Sequence, residues 1–385
     1  VFCNGAPIGQ DESIMNQAEG FVPPPYPYDR LDRFAALGAR FEGGIVDLSI
    51  GTPCDPPPAA VIEALATSDT ECGYPPSIGT PLLRAAIRTW IDRRFGIDVP
   101  LAQIAACVGT KEFVATTPHY LRLRTPSRDT VLYPAVAYPT YEMGAILAGC
   151  RPVAVPMAPT GGIDLGAIDP ADAARAVMLW VNSPSNPTGA LDDLDAAAAW
   201  GRLHGVPVFS DECYVEFTWD GPARTILERG LDGVVAVHSL SKRSNLAGLR
   251  VGFYAGDAEL VDYLKEVRKH VGMLVPGPAQ AAGAAALADD THVTVQRDRY
   301  RRRLERAATI LRTWSGIDIG QPAGGFYLWF DAGDGWAFAE RLATEGGALV
   351  SPGDFYGAGG ANNVRVAVVQ PDDRIEMIAH RLGVL

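Results

Sequence analysis

The chain has 385 residues, 48% hydrophobic and 20% charged, the balance of an ordinary globular protein long enough for one large domain and a smaller one. A formal net charge of −12 argues against a nucleic-acid surface, which needs clustered Lys and Arg to neutralise phosphates. Cys3, Cys54, Cys72, Cys107, Cys150 and Cys213 form no CxxC pair and no Cys/His cluster, so no zinc site or disulfide framework is expected and a reducing compartment is.

Residues 1–28 are rich in Pro, Gly, Asn and Gln without a clear period, and read as an extended arm across the surface or a partner subunit. They show no charged segment leading into an apolar core, so no secretory signal is expected. From Ile45 to about Ala255 the runs IVDLSI, TVLYPAV, AVMLWVN, VPVFSDE, VVAVHSL and VGFYAG alternate with helical patterns such as Pro81 to Phe95 and Leu191 to His204. That alternation predicts an α/β fold, a mostly parallel sheet covered by helices on both faces. A long helical stretch starts near Ala258 and breaks at Val275 to Pro278; helix, strand, helix, strand, strand and helix follow, an α+β pattern. The expected domains are 1–44 (arm and part of a small domain), 45–275 (large domain) and 276–385 (small C-terminal domain). In the basic run Arg297 to Arg306, Tyr300 and Leu304 stand four apart, which predicts a solvated helix face. Apolar stretches such as Ala281 to Ala288 are too short for a bilayer, so a soluble, cytoplasmic protein is expected.

Lysine is scarce: Lys111, Lys242, Lys265 and Lys269 are all there are. Lys265 and Lys269 share a charge-rich helical stretch and read as solvated. Lys242 follows the apolar run VVAVHSL among hydroxyl residues, in Ser239 to Asn245. Locally it is either a loop lysine near the surface or an amine whose pKa burial lowers, making it a nucleophile for a carbonyl. Two further strand ends carry polar groups: Asn182 to Gly189 (NSPSNPTG) and Phe209 to Tyr214 (FSDECY). Open α/β sheets bind ligands at such ends, and Asn186, Asp211 and Lys242 fall on three in succession.

The ordered series NxPxNPTG, DExY and SxSKxxxxxGxRxG, with Ser239, Lys242, Gly248 and Arg250 in its last member, resembles the pyridoxal-5′-phosphate (PLP) aminotransferases of fold type I, class I/II. Within them, HSLSKRSNLAGLR and SPGDFYG are most similar to N-succinyl-diaminopimelate aminotransferases. The resemblance implies that Lys242 carries the cofactor and shuttles a proton, that Asp211 pairs with the pyridine nitrogen, and that Asn186 and Tyr214 hydrogen-bond the ring oxygen. Tyr138 would stack on the ring. Gly109, Thr110 and Lys111, opening a helical pattern, would cradle the phosphate with Ser239 and Arg250, and Tyr74 would reach it from the other subunit of a homodimer. Arg365 would grip the α-carboxylate, with Asn186 and with Gly51, placed near the start of the first sheet strand, beside it. The implied partners are small amino and keto acids, with glutamate donating to N-succinyl-2-amino-6-oxopimelate.

Rival readings lack their marks. A nicotinamide enzyme needs GxGxxG after its first strand, and the nearest glycine cluster, Gly357 to Gly360, lies near the C-terminus. A PLP-dependent transcription regulator needs a basic helix-turn-helix module, for which the arm is too short and Pro-rich. A β-lyase or an aminotransferase of aspartate, aromatic or N-acetyl-diaminopimelate type shares the cofactor residues and stays open. Arg243 and the arm are both candidates for reading the far end of the substrate.

Overall fold

The computed structural model describes residues 20–384 apart from residues 39 and 71, so Cys3 and most of the expected arm lie outside the described residues. The apolar runs become strands because β-branched and aromatic residues at period two can be buried on both faces. In chain order the strands are β1 (Val46–Asp47), β2 (Ile104–Cys107), β3 (Thr130–Pro134), β4 (Arg151–Val155), β5 (Ala176–Asn182), β6 (Val208–Asp211), β7 (Val234–Ser239), β8 (Gly252–Gly256), β9 (Tyr327–Asp331), β10 (Ala348–Leu349), β11 (Ser351–Pro352) and β12 (Asn363–Ala367). A seven-stranded sheet has the order β2-β8-β7-β6-β5-β3-β4, with β8 antiparallel to both neighbours and the other pairs parallel.

Alternate residues of these strands enter separate cores: Leu179, Val181, Val208, Val234 and Ala236 on one face, Met178, Trp180, Phe209, Val235 and Val237 on the other. Each such aliphatic contributes about 1.5–3 kcal/mol when fully buried. The expected mostly parallel, helix-covered sheet is therefore present. The helix Pro81–Phe95 falls where its pattern placed it: Thr80 accepts from the Leu83 N–H at 3.2 Å, Pro81 opens it, and Gly96 at φ +69° ends it.

Two expectations are corrected. The run IVDLSI does not join the main sheet; only Val46–Asp47 is a strand, paired in parallel with Ala348–Leu349, and Gly51 lies beyond its end. A two-residue strand finds its hydrogen bonds wherever a free edge passes, which a local pattern does not report. Arg303, within the presumed solvated face of the helix Thr291–Ser315, is buried and paired with Asp55 at 2.6 Å and with Asp372. The helix faces inward with Tyr300 and Leu304, and Arg303, which shares that side, is tolerated because two carboxylates meet it.

A second, antiparallel sheet, β11-β12-β9, sets Arg365 on its central strand opposite Trp329 and Ser351. The helix Gly277–Ala288 packs with Leu83 and Val251 in a core of the large sheet.

Candidate active site

The three parallel strands β5, β6 and β7 end together, in the register Asn182 opposite Asp211 and Asp211 opposite Val237. Their ends open on one cavity of about 410 Å³. It gathers Lys242, Asp211, Asn186, Tyr214, Tyr138, Thr110, Lys111, Ser239, Arg250, Arg365 and Gly51, eleven of the thirteen residues singled out from the sequence. Gly109 adjoins it through Arg250, while Tyr74 is 97% exposed and lies outside it.

Lys242 is in the short helix Leu240–Arg243 just past β7, and its Nζ donates to the Gly51 carbonyl. Burial pushes the amine down to about 8, and the Arg365 and Arg250 cations push the same way against the pull of Asp211. Asp211 accepts from Tyr141 Oη at 3.0 Å and from the Cys213 N–H at 3.2 Å; burial raises its carboxyl pKa, so a cation beside it would keep it ionised. The Asn182 side chain ties these ends together. Its Nδ2 donates to the Asp211 carbonyl at 2.7 Å while its Oδ1 accepts from the Asn186 N–H at 2.7 Å, fixing the turn that holds cis Pro184 and Pro187.

Three further cations, Lys111, Arg250 and Arg365, line the cavity. Gly109, at φ +73°, caps the helix Thr110–Arg124, and a Cβ there would overlap the Arg250 guanidinium, so glycine lets that group lie against the helix N-terminus. Thr110 and Lys111, the first two residues of that helix, line the cavity together with Ser239 and Arg250, and N–H groups at a helix N-terminus suit a phosphate. Arg268, paired with Glu112 through two bonds of 2.7 Å, anchors this helix to its neighbour Ala258–Val271. Arg365 is 2% exposed, lies 4.2 Å from the Tyr327 ring centre and 4.8 Å from that of Tyr356, and donates to Asn186 Oδ1 at 2.7 Å, to Tyr28 Oη at 3.2 Å and to the Ser49 carbonyl. Its Nε is buried without a partner among the described residues.

These groups fit pyridoxal 5′-phosphate: a buried carboxylate for a ring cation, a helix-end cradle for a phosphate, and between them a lysine with a lowered pKa. Sequence reasoning missed other residues of the cavity. Tyr141, three residues past Tyr138, bonds Asp211, and Asn182, the first residue of NSPSNPTG, ties two strand ends together. Tyr26 and Tyr28 enter from the arm, and Tyr327 carries no motif at all. Arg243, a candidate for the far end of the substrate, is corrected: it is buried away from the cavity, against Glu216 at 3.0 Å and Asp290. Its guanidinium fills an internal charge network because a buried cation must be paired. The five described cysteines are free, and no group of His, Cys, Asp and Glu suited to a metal occurs among the described residues.

Comparison with known proteins places the chain in a family. The chain is 41% identical to 4-dedimethylamino-4-oxo-anhydrotetracycline transaminase OxyQ of Streptomyces rimosus, over 93% of its own length and 99% of that protein's. It is 33% identical to an LL-diaminopimelate aminotransferase of Aquifex aeolicus, over 94% and 96% of the two chains. A probable N-succinyldiaminopimelate aminotransferase of Thermus thermophilus superposes with a TM-score of 0.81 at 30% identity, covering 93% of this chain and 100% of that one. The sequence model described as aminotransferase class I and II matches residues 44–382. The chain thus belongs to the class I and II aminotransferases, pyridoxal-phosphate enzymes that exchange amino groups between amino and keto acids.

Proposed function

We propose that glutamate is the amino donor and N-succinyl-2-amino-6-oxopimelate the acceptor, giving N-succinyl-LL-2,6-diaminopimelate, in a cytoplasmic homodimer whose large domain carries the cofactor. The observation that carries the reading is one cavity joining the amine of Lys242, the carboxylate of Asp211 and the guanidinium of Arg365. The cofactor, when bound, supplies a carbonyl that takes up the amino group and an electron sink for the bond broken beside it. Lys242 holds the carbonyl and, once displaced, moves the proton at the reacting carbon. Asp211 keeps the ring nitrogen protonated, and Tyr138 covers a ring face. Asn186 spends its Oδ1 on Arg365, which leaves its Nδ2 free to donate to the ring oxygen together with Tyr214. Gly109, Thr110, Lys111, Ser239 and Arg250 hold the phosphate. Arg365 forks the α-carboxylate, with Gly51 beside it.

Lys111 supports the distal half of this assignment. Its Nζ reaches the cavity rim, bonds Tyr26 Oη at 3.0 Å, stands 4.7 Å from the Tyr26 ring centre, and meets no carboxylate among the described residues. It offers a far carboxylate the cation that Arg243 does not. The tyrosine rim of Tyr26, Tyr28 and Tyr138 favours one second reading, a flat polycyclic ketone of the kind in the Streptomyces relative's name. Tyr74, nearly wholly exposed beside Pro75, suits a contact with the partner subunit's phosphate. Mixing Tyr74→Phe and Lys242→Ala subunits tests it: regained activity supports shared sites, and none counts against them.

Single-donor turnover of the holoenzyme decides the substrate. Glutamate and N-succinyl-diaminopimelate should each bleach the cofactor's visible band, with N-acetyl- and free diaminopimelate much slower. Bleaching by glutamate and a polycyclic amine, but not by the succinyl compound, would replace the primary assignment with the second.

A further inference from the structure

Three residues of the proposed site meet at a fourth that no motif marks. Tyr327, on β9, is 1% exposed, and its Oη lies 2.7 Å from the Oη of Tyr214, which is also buried. The Arg365 guanidinium stacks on its ring at 4.2 Å. Its hydroxyl fills the space that a Cβ on Gly51 would need, and the Gly51 carbonyl accepts from Lys242 Nζ. Among the described residues each of the two phenol oxygens has the other as its side-chain partner.

A phenol has a single hydrogen to give. When Tyr214 directs its hydrogen to an oxygen in the cavity, Tyr327 is the group left to donate into the Tyr214 oxygen. We propose that Tyr327 is a positioning residue that holds Tyr214 as a donor toward the cofactor's ring oxygen; the inference rests on the role given to Tyr214 above. A donor into the Tyr214 oxygen polarises that phenol and strengthens its own donation. Burial raises both phenols, and the Arg365 cation, stacked on the Tyr327 ring, opposes that more strongly at Tyr327 than at Tyr214, which favours Tyr327 as the donor of the pair. Donation to the ring oxygen stabilises its negative charge and disfavours a proton on the neighbouring lysine-bound nitrogen.

The test is the spectrophotometric pH titration of the holoenzyme's visible band. Tyr327→Phe removes the hydroxyl and keeps a ring beneath Arg365, so KM for glutamate should stay within about twofold. The titration midpoint should rise by about 0.1–0.7 pH units, which is a tenth to a third of the worth of a charge-assisted hydrogen bond. Tyr214→Phe should raise it further, and the double variant no more than Tyr214→Phe alone, because one interaction is lost in both. An unmoved midpoint in Tyr327→Phe beside a moved one in Tyr214→Phe overturns the inference and leaves Tyr214 in its role. Two unmoved midpoints overturn both. Additive shifts in the double variant overturn it as well, since Tyr327 would then act by a route other than Tyr214.

Discussion

The lowered pKa of Lys242 can be tested through the rate at which the cofactor-free protein captures pyridoxal 5′-phosphate. Only the neutral amine attacks a carbonyl. With the amine at about 8 instead of the usual 10.5, roughly one molecule in eleven is neutral at pH 7 instead of roughly one in 3,000, a gain of about 300-fold. Stopped-flow absorbance from pH 6 to 10 should show a capture rate rising about tenfold per pH unit and levelling above pH 8. Arg365→Met, which removes a neighbouring cation, should move the break upward. The same group sets a stability trend. Because its folded pKa is depressed, the unfolded chain binds more protons between about 8 and 10.5, so its contribution to stability rises with pH across that window and is least below it. A capture rate still climbing at pH 10 would refute the argument from burial and neighbouring cations.

Three further outcomes are expected. Asp211→Asn should lower kcat about 100- to 1,000-fold, the scale of losing one preorganised electrostatic partner of the reacting system; steady-state kinetics within threefold of wild type would count against it. Arg365→Lys should lower kcat/KM for glutamate about 10- to 150-fold, because an ammonium cannot reproduce the planar fork, with the visible band intact. Gly51→Ala should destabilise by about 1–3 kcal/mol in a denaturant titration, since its methyl displaces Tyr327 from Tyr214.

The parts of the site legible in the sequence are those held by local chain geometry. Asp211 and Ser239 are strand-end residues and Lys242 lies three past a strand end, so runs of buried residues followed by polar ones reveal them. Gly109 is legible for the same reason, as the residue between a strand and a helix N-terminus. The roles of Tyr141 and Asn182 are not legible in the same way, because which of two neighbouring polar groups faces a ligand depends on strands not adjacent in sequence. Arg243 shows the reverse error: it adjoins Lys242 in the chain, yet the short helix turns its side chain into the interior.

Spacing along the chain carries the alternating strands and helices, the order of the strand-end groups and the resemblance that implies the cofactor, and all three are therefore readable before any fold is known. Long-range packing sets the pairing of β1 with β10, the burial of Arg303, and the cavity that Tyr26, Tyr28 and Tyr327 share with Lys242. Tyr28 and Tyr327 stand about three quarters of the chain apart, and no local period links them. They meet because the second sheet packs against the strand ends of the first, and packing of that range depends on the summed shape of both cores rather than on any short segment.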